Sequence, residues 1–314
     1  MESYTIIGHE NIKNRIKNSI MKDKFSHASI IVGEDGIGKS IIAKEIARRI
    51  LGNLKSRSYV DIIEFKSINK KSIGIDDIRN LIEEINKKPT ESDKKVIIIY
   101  KSESMTEVAQ NSFLKTIEEP PKGVYIILLC ENMERILDTI KSRCEIFKLN
   151  RLDSYDIKHF IKNKYSDISE ENLNSAISFS EGIPGKAERF IEDESLKHIR
   201  DMSLGILKDL KHLSSYKYLM KYENFLVKYK ENWGDVLTCI LSYLRDSLLF
   251  KETGEEELLL NADKKDHIKD ISEKYSYINL DKMVRIINNT RDKLNRNINF
   301  TLVFDEMLIK MQEV

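Results

Sequence analysis

Over the first 150 residues, short runs of β-branched and apolar residues alternate with stretches whose apolar positions recur every three and four residues. The runs Ala28 to Val32, Ile62 to Phe65, Val96 to Tyr100, Tyr125 to Leu129 and Glu145 to Lys148 predict strands. Between them, Lys39 to Leu51, Ile75 to Lys87 and Thr106 to Glu118 carry the helical spacing. This alternation predicts an α/β fold, a parallel sheet with helices on both faces. The unbroken run Val96-Ile97-Ile98-Ile99 suits a central strand buried on both sides.

After Leu152 the strand pattern ends. Helical spacing continues over Tyr155 to Lys164, Glu170 to Phe179 and Ala187 to Asp193, and then in longer stretches out to Met311. The turn Glu181-Gly182-Ile183-Pro184-Gly185 interrupts this region, and the polar stretch from Glu192 to Ser203 marks a second boundary. The expected organisation is an α/β P-loop domain over 1–151, a small helical domain over 152–200 and an all-α domain over 201–314.

Composition narrows the function without naming it. The chain of 314 residues has 52 Lys and Arg against 51 Asp and Glu, a net charge of +1, so its whole surface is not an electrostatic trap for nucleic acid or anionic lipid. The longest apolar stretch, Val124 to Cys130, is far short of a membrane span, and the N-terminal residues show no signal-peptide core, so the expected location is cytoplasmic. Cys130, Cys144 and Cys239 form no C-x-x-C pair, which predicts neither a disulfide framework nor a zinc site.

The segment Gly33-Glu34-Asp35-Gly36-Ile37-Gly38-Lys39-Ser40 satisfies G-x-x-x-x-G-K-[ST] between a strand and a helix. Glycines let such a loop present backbone N–H groups to phosphate oxygens, and the helix adds its positive dipole end. Lys39 is expected to reach the β and γ phosphates of ATP or ADP, and Ser40 to ligate Mg²⁺. Hydrolysis also needs acids at the end of a neighbouring strand. There Tyr100 and Lys101 stand instead, neither a good Mg²⁺ ligand nor a base at neutral pH, so the site is expected to bind and not cleave. Glu103 is read as a solvated loop acid rather than a replacement ligand. The stretch Lys208 to Lys230, six lysines interleaved with Tyr216, Tyr218, Tyr222 and Tyr229, reads as a solvated face over a packed one, with a DNA surface as the alternative.

Several segments together resemble the clamp-loader subunits of bacterial DNA polymerase III, within the AAA+ ATPases, and among them the delta-prime subunits. They are Ile6-Ile7-Gly8-His9-Glu10, Ser26-His27-Ala28, the P-loop, Asn111-Ser112-Phe113-Leu114-Lys115-Thr116-Ile117-Glu118-Glu119-Pro120-Pro121, Ser142-Arg143-Cys144 and Asn297-Ile298-Asn299-Phe300-Thr301-Leu302. The resemblance implies that Arg143 is an arginine finger acting in trans on a neighbouring subunit's ATP. It also implies that Ile6, Ile7 and Ile37 line the nucleotide site with Gly33, Gly36, Gly38, Lys39 and Ser40. The partners implied are motor subunits of the gamma/tau type, a delta subunit, primer-template DNA approached by Arg48 and Arg49, and, weakly or indirectly, the sliding clamp. No membrane is among them.

Departures from the motor-subunit pattern agree with one another. Tyr100 and Lys101 replace the acids, Cys130 and Glu131 stand where a sensor threonine is common, and Gly185 stands in place of an arginine facing the nucleotide. The resemblance therefore implies a non-hydrolysing stator, with an ATP-hydrolysing motor subunit of the same machine as the alternative. The four-cysteine zinc module of many relatives is absent from Ile50 to Asp61, whereas the P-loop is intact, so nucleotide is expected as a structural ligand. The C-terminal helices are implied to form a ring-holding collar, and the apolar stripe Leu302, Phe304, Met307, Leu308 and Met311 is expected to be buried by its own domain or by a partner.

Overall fold

The five apolar runs form one parallel sheet: β1 (Ala28–Val32), β2 (Ile62–Phe65), β3 (Lys95–Ile99), β4 (Val124–Cys130) and β5 (Glu145–Lys148), in spatial order β2-β3-β4-β1-β5. The structure is a computed structural model that describes residues 7–52, 60–67, 72–211, 214–296 and 298–314. Ile6, Asn297 and most of the cysteine-free span Ile50 to Asp61 lie outside the described residues. Val32 lies beside Cys130, and Ile99 beside Leu128, so the carboxyl ends of β1, β4 and β3 reach one edge side by side.

Alternate residues of the central strands feed two cores. Ile97 and Ile99 of β3, with Ile126 and Leu128 of β4, pack beneath α3 (Ile75–Asn86), α4 (Glu107–Glu118) and the short α5 (Asp138–Lys141). Val96, Ile98, Ile127 and Leu129 face the other way, toward α1 (Glu10–Met21) and α2 (Lys39–Ile50). Burial on both faces is what the unbroken apolar runs predict. Apart from the one-turn α5, helix α1 is the element the sequence reading lacks. Its single fully buried position, Ile16, leaves a weak periodic signal among charged residues.

The helical region comprises α6 (Ser154–Lys164), α7 (Glu170–Ser180), α8 (Pro184–Glu192), α9 (Glu194–Asp209), α10 (Ser215–Lys228), α11 (Trp233–Thr253), α12 (Lys265–Lys274), α13 (Tyr277–Asn295) and α14 (Phe300–Gln312). The chain divides into two compact units. One runs to Phe160 and includes Gly182–Gly185; the other holds Ile161–Glu181 and Lys186–Val314. A boundary at 200 falls inside α9, whose Leu196, Ile199, Leu204 and Leu207 belong to one continuous core with Tyr218, Tyr222, Ile240 and Phe304. Tyr218, Tyr222 and Tyr229 are likewise buried, so the lysines between them lie outside a packed face. Of the stripe read on the last helix, Phe304, Met307, Leu308 and Met311 are buried, but Leu302 is 67% exposed.

Candidate functional site

The loop from Gly33 to Gly38 leaves β1 at the sheet edge, where the Gly33 N–H donates to the Cys130 carbonyl at 3.2 Å. Gly36 and Gly38 have φ of +79° and +105°, a region open to glycine at no steric cost. Gly38 is the N-cap of α2 and offers the N–H groups of the first turn no side-chain acceptor of its own. That is the form of an anion cradle. Lys39 folds back across it, its Nζ donating to the carbonyls of Gly33 at 2.7 Å and Glu34 at 2.9 Å. Ile37 is buried beneath the loop, Ser40 follows Lys39 in the first turn of α2, and Ile7 is half-buried at the start of the described chain.

Two further contacts hold the cradle. Arg151 grips Glu34 with both prongs, at 2.6 and 2.8 Å. The Gly185 N–H donates to the Gly36 carbonyl at 3.0 Å, and a Cβ on Gly185 would stand 2.7 Å from Gly36 Cα. The backbones touch, so a long side chain at 185 has no room without moving the loop. Neither contact carries a local sequence signal, because each joins residues more than a hundred positions apart.

At the end of β3 the expected acids are replaced by a different network. The Tyr100 hydroxyl donates to Glu64 at 2.8 Å, Lys44 and Lys66 approach Glu64 at 2.9 and 3.1 Å, and the Lys66 ammonium lies 4.5 Å over the Tyr100 ring. Burial alone would raise the Glu64 carboxyl, but Lys44, Tyr100 and Lys66 hold it down at about 2. Burial and the Glu64 charge raise the Tyr100 phenol, which therefore stays protonated and donating. Lys101 adopts φ +49° at the strand end with its side chain exposed. Glu64 is the functional candidate that the sequence reading missed; alone on its strand it looks like any exposed acid.

Glu103 corrects an expectation. The short 3₁₀ turn Ser102–Ser104 brings it against β4, where one carboxylate oxygen accepts the Glu131 N–H at 3.2 Å and the other is buried with no hydrogen-bond partner among the described residues. It is not a solvated loop acid. Cys130 is fully buried, and burial with the nearby Glu103 charge pushes its thiol up to about 12. Glu131 stands 4.0 Å from Lys39.

Arg143 lies between α5 and β5. Its guanidinium donates to the Thr139 carbonyl at 3.0 Å and pairs with Glu118 at 3.3 Å, both side chains partly exposed. Arg49 pairs with Glu45 at 2.7 Å on the outer face of α2. These charges sit apart from the residues gathered around Lys39.

Comparison with known proteins gives the arrangement a family. Residues 8–153 match the family described as DNA polymerase III, delta subunit, and residues 207–313 match DNA polymerase III, delta subunit, C terminal. The chain belongs to the clamp-loader subunit family of DNA polymerase III. Within the family, it is 25% identical to the DNA polymerase III subunit gamma of Buchnera aphidicola subsp. Schizaphis graminum over 97% of this chain and 93% of that one. It is also 25% identical to the subunit delta' of Bacillus subtilis, over 94% of each. It spans only 33% and 60% of two longer relatives, a gamma/tau and a tau subunit. Among solved structures, a gamma subunit-related protein of Thermotoga maritima aligns with a TM-score of 0.49 at 18% identity, over 95% of this chain and 98% of that one. The α/β P-loop architecture followed by helices is the AAA+ arrangement the resemblance implies. Among the described residues, no helix is long and apolar enough to cross a membrane.

Proposed function

We propose that the chain is a delta-prime-type stator of a bacterial clamp loader. It binds nucleotide without hydrolysing it and lends Arg143 to the ATP site of a neighbouring gamma/tau-type subunit while the sliding clamp is placed on primed DNA in the cytoplasm. The observation that carries this reading is the Tyr100 hydroxyl committed to Glu64 where a motor subunit needs a free carboxylate. Cys130 and Gly185 point the same way: a buried, protonated thiol is a poor sensor, and the Gly185 backbone occupies the space a facing arginine needs.

The loop fits a phosphate chain. Backbone N–H groups and the start of α2 would hold the phosphates of ATP or ADP, Lys39 would exchange two carbonyls for phosphate oxygens, and Ser40 would ligate Mg²⁺, which supplies countercharge. Arg143 suits donation to a neighbour because its ion pair with Glu118 is exposed and so worth little. Clamp-loader partners of the gamma/tau type follow from this reading, with a delta subunit, primer-template DNA and a weak or indirect clamp contact.

A loader assembled with Arg143→Ala should lose about 10³ to 10⁵ of its DNA-stimulated ATPase rate while remaining intact. Unchanged turnover in an intact assembly would remove the finger. The second reading, an ATP-hydrolysing motor subunit, draws on the intact Gly33–Ser40 loop and on gamma relatives at the same identity as delta'. Steady-state ATP turnover by the purified chain, with and without primed DNA, separates the two. Turnover abolished by Lys39→Ala makes it a motor; nucleotide binding without turnover makes it a stator.

A further inference from the structure

Strand β4 ends beside the start of the P-loop. Val32 pairs with Cys130, and the Gly33 N–H donates to the Cys130 carbonyl at 3.2 Å, so Glu131, the next residue, leaves the strand alongside the loop. Its carboxylate stands 4.0 Å from the Lys39 ammonium. Its backbone N–H donates to Glu103 at 3.2 Å, and the second Glu103 oxygen is buried with no hydrogen-bond partner among the described residues. After burial, the charges of Glu103, Lys39 and Glu131 act on the Cys130 thiol, so the three groups gather around one sulfur. Lys141, the other cation acting there, is tied to Asp138 at 3.0 Å. Two carboxylates therefore share one ammonium, and that ammonium belongs to the phosphate loop.

In a loop of this kind the backbone N–H groups cradle the α and β phosphates, and the lysine meets the β and γ phosphates. Groups beside Lys39 thus face the end of the phosphate chain. A diphosphate places its last charge among the N–H donors. A triphosphate adds one more charged group on the Lys39 side, where Glu131 and Glu103 accept hydrogen bonds and donate none. Acceptors meet acceptors there, and like charges meet like. Solvent weakens the repulsion at the exposed Glu131 carboxylate, and less so at the buried Glu103 oxygen.

We infer that Glu131, positioned by Glu103, makes the cradle selective for a nucleoside diphosphate over the corresponding triphosphate. This preference presupposes that Gly33–Ser40 holds a nucleotide, as proposed above, and specifies which one. Glu131 acts through its own charge beside Lys39. Glu103 holds the Glu131 backbone and sets a second charge behind it. Such a site takes up the product of a neighbour's hydrolysis and not its substrate.

The test is calorimetric titration of the full, nucleotide-free chain with ADP and ATP in EDTA, then with ADP and the non-hydrolysable analogue AMP-PNP in Mg²⁺. ADP should bind the wild type about tenfold or more tightly than the triphosphate in both buffers. Glu131→Gln should narrow that ratio by tightening the triphosphate and leaving ADP little changed, and Glu103→Gln should narrow it in part. Both variants keep the size of the side chain and a carbonyl acceptor, and thermal unfolding checks that they fold. The wild-type ratio decides the matter even where a variant does not fold. Equal or tighter binding of the triphosphate by the wild type would overturn the preference and leave the nucleotide site standing. A ratio unchanged in both folded variants would remove Glu131 and Glu103 as its source. A triphosphate favoured only in Mg²⁺, with the gain lost in both variants, would make the two acids metal ligands and overturn the inference. Binding of neither nucleotide by the wild type would overturn the nucleotide site itself.

Discussion

Asp61 shows how much one buried carboxylate can organise. It is 2% exposed and accepts the backbone N–H groups of Thr90, Glu91 and Ser92 at 2.6 to 3.0 Å, which fixes the loop leading into β3. Burial would raise its carboxyl, but the three N–H donors hold it below its ordinary value of 3.8. A depressed folded-state value gives stability that is fully present above the unfolded value and is lost as pH falls through the folded one. Asp61→Ala should cost about 3 kcal/mol at neutral pH, measured by urea unfolding, and less in strong acid. The Glu64 carboxyl, held at about 2, contributes in the same sense: its share is present above about 4.5 and fades toward 2. Tyr100→Phe should move that acid limb upward, which the pH dependence of the unfolding midpoint would reveal. These roles are not legible in the sequence. Nothing local distinguishes Asp61 or Glu64 from surface acids, because their partners come from other strands and loops. Lys39 and Ser40, by contrast, are legible because spacing alone places them at the turn between β1 and α2.

At the scale of elements, the sheet is the most legible part. β1, β2 and β5 have the limits read from the sequence, and β3 and β4 differ by a residue at their ends, since β-branched runs bounded by polar residues leave little else they can be. Helix α1 escapes because it buries so little of its surface. The loop Gly182–Gly185 is legible as a turn but not as a brace, since its meeting with Gly36 spans about 150 positions of chain. The brace carries a prediction. Gly185→Arg, which restores the residue of the motor-subunit pattern, should displace the P-loop and weaken nucleotide binding rather than strengthen it, as titration with a fluorescent ADP analogue would measure. Tighter binding by this variant would show that the loop can part from Gly185 at little cost. Asp at 100 and Glu at 101 should likewise not produce a fast ATPase, because Gly185 and Cys130 remain as they are.

For the molecule as a whole, composition predicts the order of parts better than their borders. The polar stretch from Glu192 to Ser203 reads as a domain boundary, yet Arg200 and Ser203 within it are buried. Arg200 is bound by Asp263 at 2.8 and 3.0 Å and by Asn261 at 3.2 Å, and it lies 4.3 Å over the Phe190 ring. Asn261 in turn donates to Asp246 at 2.9 Å, and the Asp263 N–H donates to Ser175 at 3.1 Å. Polarity misleads here because these groups satisfy one another across about 60 residues of chain, and a sequence pattern records no such pairing. The knot joins α7, α9, α11 and the loop before α12, so helices assigned to a lid and helices assigned to a collar share one interior. It fixes where the chain can be severed. A fragment beginning just after Arg200 would keep Asp263 in its apolar setting with no guanidinium to meet it, a loss of about 3 to 5 kcal/mol, and should resist proteases poorly. One beginning at Ile161 would carry the knot whole and should melt in a single transition, so a scalpel laid at the polar stretch cuts through a keystone, not a seam.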